Sequence, residues 1–153
     1  MNDINKIDIH VKAFLEETNE LLADLEVSLV ELEKSNNDPE LLSKIFRDLH
    51  TIKGSAGMFG FDDITTFTHD IETVYDYIRN GSIQITNTII DLTLAAKDQI
   101  SLMIRSSEDN QLKDDLEIDK ELLWPEWVTM VLRVCLNSAS KGLIQLLRMR
   151  DPV

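Results

Sequence analysis

Asp38-Pro39-Glu40-Leu41-Leu42-Ser43-Lys44-Ile45-Phe46-Arg47-Asp48-Leu49-His50-Thr51-Ile52-Lys53-Gly54-Ser55-Ala56-Gly57-Met58-Phe59-Gly60 is the stretch whose reading decides the fold. Asp is a good N-cap, and Pro suits the first helical position, where no N–H is needed. Leu42, Ile45, Leu49, Ile52, Ala56 and Phe59 recur at steps of three and four, the spacing of one helix face. Gly60 is placed to stop the helix. The pattern predicts an amphipathic helix with one buried stripe.

The same period extends in both directions. Upstream, Ile4, Ile7, Val11, Phe14, Leu15, Leu22, Leu25, Leu29 and Leu32 predict a first helix from about Ile4 to Lys34, ending at the polar Ser35-Asn36-Asn37. Downstream, Asp62 is the expected cap of a third helix with the stripe Ile64, Phe67, Ile71, Val74 and Ile78, closed by Asn80-Gly81. Thr86 is the expected cap of a fourth, with Ile89, Ile90, Ala96, Ile100, Met103 and Ile104 inside. Four amphipathic helices on short connections predict an all-α antiparallel four-helix bundle over residues 1–106. No strand pattern competes.

The character changes near Ser106. Residues 107–153 read as an acidic connector followed by an apolar C-terminal helical segment that packs on the bundle. Leu122 to Val153 carries four Lys/Arg against two Asp/Glu, both tryptophans and the only cysteine, Cys135. Pro125 interrupts any helix begun near Asp119, and helices are expected at about 126–136 and 143–149. Trp124 and Trp127 are expected to hold this tail on the bundle, the alternative being an exposed apolar contact for a dimer or a membrane surface.

Composition limits the function classes. A net charge of −13 argues against nucleic acid or an anionic membrane as the main partner. One cysteine permits neither an internal disulfide nor a Cys-based zinc site. No run of about 18 apolar residues predicts a membrane span, and the polar N-terminus does not read as a signal peptide. The expectation is a monomer in the cytoplasm.

The chemistry sits on the back of the second helix. At 100° per residue, His50 lies roughly 130° from the centre of the apolar stripe. Arg47, Gly54 and Gly57 share that flank. His50 is therefore expected to be exposed, with bare backbone on its C-terminal side. Each helical glycine costs about 0.5–1 kcal/mol relative to alanine, so Gly54 and Gly57 need a reason. Close helix packing is one; their phase beside His50 favours the other, close approach by a partner.

A neutral imidazole nitrogen can attack phosphorus and form a reactive phosphoramidate, and an unperturbed histidine keeps a neutral fraction at pH 7. Lys53 and Arg47, each three residues from His50, can place positive charge beside the incoming oxygens. On the third helix, Glu72 has the same phase relative to its stripe that His50 has to its own. If the two helices are antiparallel neighbours, Glu72 can accept a hydrogen bond from one ring nitrogen and leave the other free.

The run Ile45 to Phe61 resembles the phosphorylation-site helix of CheA-type chemotaxis histidine kinases. Phe67-Thr68-His69-Asp70-Ile71-Glu72 resembles that family's next helix. Phe14-Leu15-Glu16-Glu17 with Leu21-Leu22-Ala23-Asp24-Leu25-Glu26 is similar to its first. The resemblance covers about Asp8 to Ile104 and implies a histidine phosphotransfer (HPt) domain. The phosphorylated histidine falls on His50, the nearby lysine on Lys53, the histidine-orienting glutamate on Glu72 and an auxiliary histidine on His69. It implies two partners: a histidine kinase catalytic domain that uses ATP and Mg²⁺, and a response-regulator receiver domain with its own Mg²⁺ and an acceptor aspartate. The chain itself is expected to bind no cofactor. The family's kinases are much longer, and no asparagine-containing nucleotide box or glycine-rich ATP lid occurs here. Either a stand-alone carrier or the N-terminal piece of such a kinase fits.

Plainer roles also fit several of these residues. His10 reads as an ordinary surface histidine. His69 can simply solvate its helix face. His50, His69 and Glu72 are an acceptable open metal set in residue type, but lie on different helices without an i,i+4 pair. Ser55 lacks the partners of a hydrolase nucleophile. The bundle can also be a non-catalytic binding module that sequesters a receiver domain, or a structural bundle that oligomerises through its tail.

Overall fold

Each apolar stripe closes on the others only if the helices pack side by side, and the molecule adopts that arrangement. The computed structural model describes residues 2–35 and 37–111, with side chains from Ile9 to Ser107. Helices α1 (Asn2–Ser35), α2 (Pro39–Met58), α3 (Asp62–Arg79) and α4 (Asn87–Gln111) follow one another in the chain. The α2–α3 seam is the most extensive, α1 packs on α2 and on α4, and α3 closes the ring against α4. Short links force consecutive helices to run antiparallel. The pairing agrees: Phe14 near the start of α1 meets Phe59 beyond the end of α2, while Ser28 late in α1 accepts from Lys44 early in α2 at 2.8 Å.

Most of the core comes from the expected stripes, joined by Tyr75 and Ile83. Phe14, Leu25, Leu29 and Leu32 of α1, Ile45, Leu49, Ile52 and Ala56 of α2, Phe67 and Ile71 of α3, and Ile100 and Ile104 of α4 are all buried. The side chains of Ile4 and Ile7 lie outside the described set. Two buried hydroxyls form a chain across the α3–α4 seam: Tyr75 donates to Thr93 at 3.0 Å, and Thr93 donates to the Ile89 carbonyl at 2.7 Å, whereas the buried Thr68 hydroxyl has no hydrogen-bond partner among the described residues.

The helix ends follow their capping chemistry. Asp38 caps α2, its Oδ1 accepting from the Glu40 N–H at 2.8 Å, and Pro39 is the first helical residue. Thr86 caps α4, its Oγ1 accepting from the Ile89 N–H at 3.3 Å. Gly60 and Gly81, at φ +77° and +75°, take the left-handed conformation that ends α2 and α3.

Three boundaries differ from expectation. Asp62 is the first residue of α3 rather than its cap; Phe61 holds the cap position without a side-chain bond. The Asp62 and Asp63 charges instead face the positive end of the helix dipole. Phe59 follows α2 rather than belonging to it and is 37% exposed, packed on Phe14 with ring centroids 5.1 Å apart. α4 runs unbroken past Ser106 to Gln111, because the polar run holds no Gly or Pro to stop it. Ser106 and Ser107 donate back to the Leu102 and Met103 carbonyls, each at 2.9 Å. The expected helices at 126–136 and 143–149, with Trp124, Trp127 and Cys135, lie outside the described residues.

Candidate functional site

The α2–α3 seam brings the two off-stripe residues together. His50 stands on the outer flank of α2 with 61% of its side chain exposed. Glu72 reaches across from α3 with only 9% of its side chain exposed, and its Oε1 lies 2.7 Å from His50 Nδ1. Lys53, one turn further along α2, brings Nζ to 2.7 Å from the other carboxylate oxygen, Oε2. That approach is an ion pair without hydrogen-bond angles. One carboxylate thus holds both the imidazole and the ammonium.

The protonation pattern follows. Burial works to raise the Glu72 pKa from its ordinary 4.5, but the Lys53 and His50 partners outweigh burial and hold it lower. Glu72 is therefore ionised at neutral pH and can only accept. A 2.7 Å contact to an acceptor requires a proton on Nδ1, so in the neutral ring the lone pair stands on Nε2, on the side away from Glu72. Among the described residues none bonds Nε2.

Around the histidine the surface is bare on one side and aromatic on the other. A Cβ built on Gly54 would meet nothing within 4 Å, so helix packing does not explain that glycine. A Cβ on Gly57 would touch only the Thr65 side chain, at 3.7 Å, an ordinary contact. On the N-terminal side the Phe46 ring lies nearly parallel to the imidazole, with centroids 6.0 Å apart and planes 16° apart. The Arg79 guanidinium, from the last turn of α3, sits 4.2 Å from the Phe46 centroid. Pro39, Glu40, Ser43, Phe46, Arg47 and Arg79 line a shallow groove running away from His50. Arg47 is exposed there, beside but not on the Glu72 clamp.

Of the residues singled out in the sequence, the fold joins His50, Lys53 and Glu72 in one cluster. His69, one turn before Glu72, is half-exposed and pairs with Asp70, Nδ1 to Oδ1 at 3.7 Å, away from that cluster. Sequence reasoning overlooked Phe46 and Arg79. The signal was present: Phe46 precedes His50 by four residues and Arg79 follows Glu72 by seven, so each shares a helix face with its partner.

An exposed histidine on one helix, aligned by a buried carboxylate from the antiparallel neighbour inside a four-helix bundle, defines the histidine phosphotransfer class. The chain belongs to the Hpt domain family, whose model matches residues 11–118. It is 44% identical over 87 residues to the chemotaxis protein CheA of Salmonella typhimurium, covering 57% of this chain and 13% of that protein. It is 34% identical over 109 residues to chemotaxis protein CheA of Rhizobium meliloti, covering 71% of this chain and 14% of that protein. The chain thus spans about one seventh of the length of those relatives. Among solved structures, the CheA phosphotransferase domain of Thermotoga maritima matches at 40% identity with a TM-score of 0.61, over 63% of this chain and 91% of that one.

Proposed function

We propose that this chain accepts a phosphoryl group on His50 Nε2 from an ATP-dependent histidine kinase domain and donates it to an aspartate of a response-regulator receiver domain. The observation that carries the reading is the exposed His50 whose Nδ1 is held by Glu72 at 2.7 Å. The Nε2 lone pair attacks the terminal phosphorus, the bond to the bridging oxygen breaks, and ADP leaves with that electron pair. The product phosphoimidazole gains positive character on the ring, which the Glu72 carboxylate offsets. In the second step an aspartate oxygen attacks phosphorus, the P–N bond breaks, and its electrons return to Nε2.

Lys53 supplies the ammonium that offsets charge on the transferred group; its pairing to Glu72 one turn from His50 supports that role. His69 has a supporting role at most. Arg47, Gly54 and Gly57 surround His50 on the surface a partner must approach. ATP and Mg²⁺ belong to the donor kinase domain and a second Mg²⁺ to the receiver; the chain binds neither and does not hydrolyse ATP by itself. Residues 1–106 hold the transfer unit, whose last helix runs on to Gln111, inside the appended segment 107–153. We place the protein in the cytoplasm as a monomer in a chemotaxis-type relay, either alone or as one piece of a longer kinase. Among the described residues no helix is long and apolar enough to cross a membrane.

The test is phosphorylation in trans. The purified chain is mixed with a CheA-type kinase catalytic region, Mg²⁺ and labelled ATP, beside His50→Gln. Base-stable, acid-labile label on the native chain alone, discharged by a chemotaxis receiver, is the expected result. A folded native chain that takes no label from an active kinase, yet binds the receiver, would favour sequestration instead.

A further inference from the structure

The Glu72 clamp fixes one nitrogen of His50 but not the plane of its ring. A single hydrogen bond leaves an imidazole free to pivot about the bond, and this side chain is mostly exposed. In-line attack on phosphorus needs the Nε2 lone pair aimed outward, so a second restraint is valuable. The structure holds one. Phe46, one turn before His50 on α2, lies 16° from parallel to the imidazole at a centroid separation of 6.0 Å, within the range of offset stacking. Phe46 is itself restrained from two directions. Its base packs against the core, and the Arg79 guanidinium covers its ring at 4.2 Å, well within the range of a cation–π contact.

Helix geometry explains why both restraints arrive together. His50 and Phe46 are four residues apart on α2, while Glu72 and Arg79 are seven apart on α3. Both intervals return to the same helix face, and the helices run antiparallel. Glu72 therefore stands opposite His50, and Arg79, further along α3, stands opposite Phe46. A cation in the last turn of α3 also complements the exposed carbonyls there. That role does not require the guanidinium to cross the seam and cover a ring of α2.

We propose that Phe46, locked by Arg79, is a positioning element for His50 that sets the plane of the imidazole while Glu72 sets its tautomer. This rests on His50 being the phosphoryl acceptor. It assigns to Phe46 and Arg79 a part in the transfer step rather than in docking alone.

The experiment compares Phe46→Leu and Arg79→Gln with the conservative Phe46→Tyr and Arg79→Lys, with helical content checked for each. Arg79 is exposed at a helix end, so Arg79→Gln leaves the core intact even if Phe46→Leu does not. Two readouts are taken on each full chain. The first is the His50 ring by NMR, for rotamer populations and nitrogen shifts. The second is the kcat and KM of phosphorylation by a CheA-type kinase region. Expected for Phe46→Leu and Arg79→Gln are rotamer averaging with the Nδ1–H tautomer retained, and kcat lowered about two- to fivefold, the factor one exposed cation–π contact is worth. KM should stay near native, and the conservative variants should recover both readouts. A single native rotamer with native kcat in both variants would overturn the proposal, as would a change confined to KM, which would make the patch a docking contact. If even the native chain takes no label, the function proposed above fails; the rotamer readout then decides the positioning role by itself.

Discussion

At the residue scale, Glu72 is the position on which the site turns. It is buried, yet its pKa is held below 4.5 because Lys53 and His50 more than offset the burial that would raise it. A carboxyl with a depressed folded pKa stabilises the fold above its unfolded pKa. That contribution is lost as pH falls through the folded value. Glu72→Gln should thus lower the urea midpoint at pH 7, and the gap from native should narrow as pH falls through the folded value. The same change lets the amide either donate to or accept from Nδ1, so the tautomer preference is lost. Phosphorylation of His50 should slow by about tenfold, the worth of one charge-assisted hydrogen bond. A variant phosphorylated at the native rate would show that Glu72 is structural only.

Asp48 gives the opposite sign. Its side chain is 14% exposed, and Oδ2 has no hydrogen bond, only the Lys44 ammonium at 3.6 Å. Burial raises its pKa above 3.8, with Lys44 opposing. A raised carboxyl pKa means the folded state takes up the proton more readily, so this group's penalty is absent at low pH and grows as pH rises through the folded value. Asp48→Asn should therefore be more stable than native at pH 7, with the advantage shrinking toward pH 3. Urea melts at both pH values check the sign.

At the scale of the element, α2 carries a conflict between stability and access. Leu42, Ile45, Leu49, Ile52 and Ala56 make it a well-anchored helix, and Asp38 with Pro39 starts it cleanly. Gly54 then weakens it in a place where a methyl group would meet nothing. Gly54→Ala should raise stability by about 0.5–1 kcal/mol by restoring helix propensity. If the bare backbone exists to admit a partner, that variant should also discharge phosphate to a receiver more slowly. Melting and transfer measured on one sample separate the two effects. A stabilised variant with native transfer would leave the glycine without a partner role. Gly60 is different, because its φ of +77° makes any side chain strained there whatever the space.

On the scale of the whole molecule, charge dominates. A chain with net charge −13 repels itself when compact. Local pairs such as Lys97 with Glu26, at 2.7 Å across the α1–α4 seam, relieve only part of this. Raising salt from low ionic strength to about 0.15 M, where the Debye length is about 8 Å, should raise the melting temperature by screening like charges. A melting temperature that falls with salt would mean that attractive pairs prevail. The same field makes the groove beside His50 distinctive, since two guanidinium groups, Arg47 and Arg79, line it.

Periodicity alone determined the four helices, their buried stripes and most of their caps, because a buried residue must recur with the helix turn whatever lies opposite. It also placed His50 outside its stripe, and Glu72 at the same phase on the next helix. Where a cap competes with a helix start, as at Asp62, local chemistry allows both outcomes; beyond Ser106 the polar run merely lacks a residue that would stop α4. Only the tertiary structure decided that Glu72 holds His50 and Lys53 at once, that Gly54 faces open space, and that Arg79 reaches Phe46. Each of these depends on the register of α2 against α3. That register is set by how two stripes interlock, a relation between segments that neither segment encodes by itself.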